Sequence, residues 1–529
     1  MRGLKRVLSL VLAILMLSAM PMAAKAQEGE GLRTKDVSIY PTVSVGGGFH
    51  WLYFDEFEVD ENGESIKQLA FDPGSIGELA MGVLDRALDA LKKLDLNGVV
   101  DIVIEAAQEW LGPIQMNNDG ESIADNISFE VSNRDEWLLY GEPDWFQFNF
   151  DWRLDPVENA RRLNELLERL EETRPQTEKY NFLVCSGSGP IILSYLKHFD
   201  PELKRVASLV LDVSMHNGTS MYGEIAKRKL MLDTEALGKL NLEAIVFGGG
   251  TLDLGGIPPL QPLLRIIYEI GLMEIPERVG KLLTRSITDR AYDEVIVPYL
   301  FTMPAYWAYV PHADYAEAKR ALLSDPKYAG LVAKLDYYRS TVMANADDII
   351  LAAAEKIKVA VRAGYGFPMW PLGKGTGAQS DGTVDTVYAS LGATCAPLDR
   401  TFAPWHEQKD CKGHNHISPD RMIDASTCLL PDQTWFAKNK PHGTENSYSG
   451  WYEWFKAAEF LPTVFNEDGF PQFVETLETA IQEINDLKGT YVPLLATEDE
   501  AAWIWALKAV GLWILKIWRW LLRLPLFWV

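Results

Sequence analysis

The segment that most limits the fold runs from Tyr180 to Leu196. Tyr180 to Cys185 is an almost unbroken apolar run that passes into Ser186-Gly187-Ser188-Gly189-Pro190 and an apolar helical stretch from Ile191. A short strand with no polar face is buried on both sides, as in a parallel sheet covered by helices. A strand, a sharp serine turn and a helix form the setting of a nucleophile elbow. Such a turn exposes the Ser186 hydroxyl at the carboxyl edge of the sheet. It also puts the Gly187 N–H at a helix start, where it can face a developing oxyanion. The tight turn calls for small residues two before and two after the serine, and these positions hold Val184 and Ser188. Ser188 is the alternative nucleophile. Taken alone, a serine–glycine turn without chemistry fits the same residues.

The surrounding chain has the rhythm of an α/β domain. Strands are expected at 38–45, 145–150, 180–185, 205–213 and 356–363, and a last strand at 433–437. Residues 76–112 have helical apolar spacing. Asp155-Pro156 opens a helix whose apolar face carries Leu163, Leu166, Leu167 and Leu170. Strands alternating with helices predict a mostly parallel central sheet covered by helices. Residues 35–220 and 350–490 form this domain, and 220–350, largely helical and aromatic-rich, reads as an inserted cap. Within it Leu300, Phe301, Tyr306, Trp307 and Tyr309 either line an acyl pocket or fill the cap core.

Several separated stretches resemble the lecithin:cholesterol acyltransferase-like lipases, a family of the α/β-hydrolase superfamily. Phe150-Asp151-Trp152-Arg153 resembles the family's Y-D-W-R, and the turn at Ser186 resembles its V-x-H-S-M-G-G, with Tyr195-Leu196 at the matching distance. Leu209 to Thr219 resembles its strand and P-x-x-G-[TS] turn. Ser380-Asp381-Gly382-Thr383-Val384 resembles its G-D-G-T-V-P, which carries the catalytic acid. The chain departs from the pattern at Cys185, Gly187 and Ser188, at Met215, and at Asp385. The resemblance implies a bacterial secreted serine ester hydrolase with an α/β-hydrolase fold, acting on lipid esters as a lipase, phospholipase or O-acyltransferase. The altered elbow leaves a second reading open: a catalytically degenerate, membrane-associated lipid-binding protein on a hydrolase scaffold.

In that family's order the base follows Asp381, which leaves His406, His414, His416 and His442. His442 sits just after the strand at 433–437, where it can meet Asp381 across neighbouring strand ends, and is the preferred base. His414 and His416 are the alternatives. The glycine-rich loop holding Gly47 and Gly48 is the natural second source of oxyanion donors beside Gly187. This chemistry needs no metal or organic cofactor.

Residues 1–26 have the basic start, apolar run and Ala24-Lys25-Ala26 end of a secretory signal. Export permits disulfides. Of four cysteines, Cys185 is expected buried and free in the elbow, with one bridge as Cys411–Cys428 or Cys395–Cys428. Cys411-x2-His414-x-His416 does not match a standard zinc spacing, and a disulfide loop is the preferred reading. Six of the 17 tryptophans fall in 501–529, with Lys508, Lys516, Arg519 and Arg523. On a helix these cations share an arc of roughly 80°. The tail is therefore expected to lie at a membrane surface, or else to pack on the body with its basic stripe in solvent. A net charge of −24 without a long basic patch argues against nucleic-acid binding. The expected partners are an ester substrate and a membrane surface.

Overall fold

The computed structural model describes residues 40–46, 52–59, 65–71, 86, 90, 95–123, 127–129, 145–229, 288–369, 377–409, 411, 413–440, 442, 450–466, 470–476 and 491–493. The signal segment 1–26, Gly47, Gly48 and the tail 501–529 lie outside the described residues.

The main sheet comprises β1 (Thr42–Val45), β2 (Trp145–Phe148), β3 (Tyr180–Cys185), β4 (Val206–Asp212), β5 (Lys358–Tyr365), β6 (Thr434–Lys438), β7 (Phe473–Thr476) and β8 (Tyr491–Pro493). Their order is β8-β7-β6-β5-β4-β3-β1-β2. The first seven strands in sequence pair in parallel, and β8 joins β7 antiparallel. Burial follows position: β3 and β4 are covered along nearly their whole length, while edge strand β2 alternates half-buried and buried residues. Alternate side chains enter two cores. Phe182, Val184, Leu209, Leu211, Val359 and Val361 face one, and Leu183, Val210, Ala360 and Trp435 face the other. A two-sided parallel sheet of this kind needs helices on both faces.

They are present. Helix α1 (Leu96–Leu111) lies within the expected 76–112 stretch. Helix α2 (Pro156–Thr173) starts where Asp155 accepts the Val157 N–H at 2.7 Å and Pro156 supplies a preset φ. Its Leu163, Leu167 and Leu170 are fully buried and Leu166 is half-buried. Each fully buried leucine contributes about 1.5–3 kcal/mol of transfer free energy. Helix α3 (Gly189–His198) packs beside α2. Residues 220–350 contribute α4 (Ser220–Ala226), α5 (Pro304–Ala308), α6 (Tyr315–Leu322), α7 (Ala329–Thr341) and the start of α8 (Ala346–Ala354). Leu300, Phe301, Tyr306, Trp307 and Tyr309 are all buried in the same core as the sheet. On the second face, α9 (Trp451–Ala457) sets Trp451 edge-on to Trp435 with ring centroids 5.2 Å apart.

After β2 the chain closes a buried ion pair. Arg153 donates through Nη2 to Asp151 Oδ2 at 2.8 Å and through Nη1 to the Ile114 carbonyl and Ser122 Oγ. The guanidinium and the carboxylate are thus both satisfied away from water.

Two expectations need correction, and one sheet was not foreseen. The strand at Thr434–Lys438 is not the last, because β7 and β8 follow and extend the sheet. β5 runs Lys358–Tyr365, two residues later at each end than the expected 356–363. Leu52–Val59, Ser65–Phe71 and Ile127–Phe129 form a separate antiparallel sheet that the sequence reading did not anticipate.

Candidate active site

The strand order explains where chemistry can gather. From β1 the chain moves out to β2, crosses back to β3 on the other side of β1, and then builds outward in one direction. The carboxyl ends of β1 and β3 therefore flank a topological switch point, the usual location for a ligand crevice in open parallel sheets.

Ser186 follows β3 directly and has φ 51°. A non-glycine residue held there costs of order 1–3 kcal/mol, and such strain persists only where the surrounding structure fixes it. Two contacts do so: the Met215 N–H donates to the Ser186 carbonyl at 2.8 Å, and the Gly189 N–H donates to the same oxygen. The closest approach behind the turn falls at Gly189, not at Ser188. A Cβ on Gly189 would lie 2.1 Å from Ser214 Oγ and 2.9 Å from the His216 nitrogen. Val184, bulky for this position, is fully buried in the sheet core.

His442 follows β6, and its Nε2 lies 2.8 Å from Ser186 Oγ. Its Nδ1 lies 2.8 Å from Asp381 Oδ2. A carboxylate accepts only, so Nδ1 carries the proton and Nε2 presents its lone pair to the serine hydroxyl. The His442 backbone N–H also donates to the Asp381 carbonyl at 2.9 Å, which fixes the ring's reach. The other Asp381 oxygen accepts the Thr383 and Val384 N–H groups at 2.9 and 2.7 Å. The carboxylate is thus oriented from both sides while almost wholly buried.

Ser188, the alternative nucleophile, is engaged elsewhere. Its hydroxyl reaches the Val45 and Cys185 carbonyls at 2.7 and 2.6 Å, pinning the end of β1 to the turn. Gly187 is buried at the turn, and its carbonyl accepts from Tyr309 Oη at 3.2 Å. Gly47 and Gly48 lie outside the described residues. His414 and His416 stand with Phe465 and Asp432, away from Asp381. His406 pairs with Asp424 at 2.8 Å.

Sequence reasoning missed Gly364 and His216. A Cβ on Gly364 would strike Asp381 Cβ, so only glycine admits the acid loop there. His216, behind the elbow, is fully buried, and burial pushes its imidazole down to about 4. Among the described residues neither ring nitrogen finds a hydrogen-bond partner.

Neither expected disulfide forms among the described residues. Cys395 Sγ turns to the Ala393 carbonyl at 3.5 Å, and Cys411 Sγ to the Ser426 carbonyl at 3.9 Å. Burial pushes the Cys428 thiol up to about 12. Cys185 is half-buried, less covered than expected.

No family model matches the chain, and no curated protein matches it. Among the described residues no helix is long and apolar enough to cross a membrane.

Proposed function

We propose that the chain is a serine ester hydrolase of the α/β-hydrolase type, with 220–350 as an inserted cap and a lipid ester as substrate. The observation that carries this reading is the continuous Ser186–His442–Asp381 hydrogen-bonded relay at a strained turn on the switch point. Its parts follow β3, β5 and β6, and they fall in the chain order Ser, Asp, His. The resemblance to the lecithin:cholesterol acyltransferase-like lipases adds support through the stretches that carry Ser186 and Asp381.

In the proposed reaction Ser186 Oγ attacks the ester carbonyl carbon as its proton passes to His442 Nε2. Asp381 stabilises the imidazolium and keeps the ring in place without taking the proton. The developing oxyanion is held by the Gly187 N–H and by donors from the loop containing Gly47 and Gly48. The tetrahedral intermediate collapses, the alkoxide leaves with the proton from His442, and an acyl-serine remains. Water, or an acceptor alcohol in acyl transfer, attacks that ester with His442 again as base.

The lipid assignment rests on the tail. Six tryptophans and a narrow stripe of Lys508, Lys516, Arg519 and Arg523 suit the headgroup boundary of a membrane. With the signal-like segment 1–26, this reading gives an exported protein working at a lipid surface.

The test is labelling with a fluorophosphonate and mapping of the modified serine, together with hydrolysis of a p-nitrophenyl ester. Labelling at Ser186 and loss of turnover in Ser186→Ala are expected. A wild-type protein that neither labels nor turns over would instead be a degenerate scaffold. Vesicle binding unchanged by deletion of 501–529 would remove the surface assignment.

A further inference from the structure

We propose a transition-metal site, of a chemistry suited to zinc, formed by His414, His416 and Asp432. One ligand atom from each lies within 4.8 Å of the other two. The ligands come from two parts of the chain: the loop after Cys411, and the turn that leads into β6.

The decisive group is His416, which is fully buried. Its Nδ1 lies 3.0 Å from Gln472 Oε1. The amide of Gln472 is oriented by its Nε2, which donates to the Pro431 and Thr434 carbonyls at 3.0 Å each. Oε1 is therefore an acceptor, and Nδ1 of His416 must be the donor. In the neutral imidazole that leaves the lone pair of Nε2 pointing at a carboxylate, with Asp432 Oδ1 3.2 Å away. The contact is within ion-pair reach but has no hydrogen-bond geometry, and Nε2 has no hydrogen-bond partner. A neutral imidazole lone pair facing a carboxylate is repulsive unless a proton or a metal cation lies between them.

The distances suit a metal ion. Tetrahedral zinc with arms of about 2.0–2.1 Å has ligand atoms about 3.3 Å apart, close to the separation of His416 Nε2 and Asp432 Oδ1. His414 is exposed and can swing in to complete a third arm. A histidine ligand that donates its other ring N–H to a fixed acceptor is the standard outer-shell arrangement, and Gln472 supplies that acceptor. The loop is also preset. Gln408 bridges it, accepting the His416 N–H at 2.8 Å and donating to the His414 carbonyl. The Phe465 ring lies against both imidazoles, at centroid distances of 4.0 Å from His414 and 5.1 Å from His416.

Scanning consecutive residues missed this set because its third member is not the neighbouring cysteine. Cys411 turns toward the Ser426 carbonyl, and the carboxylate arrives from Asp432, beyond the whole Ile417–Pro431 stretch. Three protein ligands leave one position for water. The ion would join the loop to the amino end of β6, the strand whose other end leads to His442.

The experiment uses the full chain, stripped with a chelator and titrated with Zn2+ alone. Metal content after desalting, competition with a zinc dye and thermal melting are read. One tightly held Zn2+ per chain and a higher Tm on reloading are expected. Co2+ in its place should give the visible bands of a four-coordinate site. Asp432→Asn and His414→Ala alter side chains that reach solvent, so both should fold and each should lose at least 10-fold in zinc affinity. His406→Ala, on the same stretch but outside the set, should bind zinc as the wild type does. Absence of stoichiometric zinc would overturn the proposal and leave His416 and Asp432 as an imidazolium–carboxylate pair. Binding that Asp432→Asn and His414→Ala both leave intact would overturn it equally, by placing the metal elsewhere.

Discussion

Gly364 and Asp381 approach so closely that a methyl on Gly364 would lie 2.7 Å from Asp381 Cβ. The same methyl would lie 3.1 Å from the Lys440 carbonyl oxygen. The end of β5 is thus the common floor beneath the acid loop and the segment that leads to His442. Gly364→Ala must displace one of them. Misplacing a reacting group by about 1 Å costs on the order of 10²-fold. Ester turnover in this variant is expected to fall by about that factor while the far-UV circular dichroism stays unchanged. Undiminished kcat would show that the acid loop yields without moving the carboxylate.

Ser188→Ala separates the two serines. The Ser188 hydroxyl holds buried backbone carbonyls, including that of Val45, so its loss is expected to cost about 1–3 kcal/mol of stability. Fluorophosphonate labelling at Ser186 should persist. A Ser188→Ala protein that melts normally but no longer labels would move the nucleophile to Ser188.

The Asp151–Arg153 pair should behave as a unit. Arg153→Met leaves a buried carboxylate without its cation and is expected to destabilise by about 3–5 kcal/mol. Adding Asp151→Asn to that variant should recover part of the loss. Chemical denaturation of both single variants and the double variant measures the coupling, and simple additivity would contradict it.

His216 should make stability depend on acid. Its ordinary value is 6.5 and burial lowers it to about 4 in the folded chain. Between those values the unfolded chain binds the extra proton, so stability is lost as pH falls from 6.5 toward 4. The full effect is about 3 kcal/mol. Asp155 acts in the opposite sense, because burial raises it from 3.8 to about 6. The readout is therefore the difference in denaturation midpoint between wild type and His216→Leu at each pH. That difference should shift in the variant's favour with acidification, and a constant difference would refute the assignment.

Much of this architecture was legible because it is written locally. Tyr180–Cys185, Val206–Asp212 and Asp155-Pro156 each carry their own periodicity or cap, and the structure places elements there. Ser186 and His442 were legible because each sits just past a readable strand, whereas Asp381, well beyond Tyr365, was legible only through the resemblance of residues 380–384 to a family motif. What was not legible depends on distant partners. The need for a small residue moved from Ser188 to Gly189 because Ser214 turns in from the end of β4. The short β7 and β8 gave too little pattern to extend the sheet beyond Lys438. Gln472, far along the chain, fixes the tautomer of His416, and no spacing rule links them.

The serine and its base are 256 residues apart along the chain. At roughly 5–20 residues per second, a ribosome needs about 13–50 s to travel that distance. β6, which leads to His442, also becomes an interior strand only once β7 has arrived to flank it. Throughout that interval a nascent chain carries Ser186 without the histidine that would remove its proton. For the lipid-ester hydrolase proposed above, the order in which the parts emerge would keep the chain inert toward the cell's own lipids during manufacture.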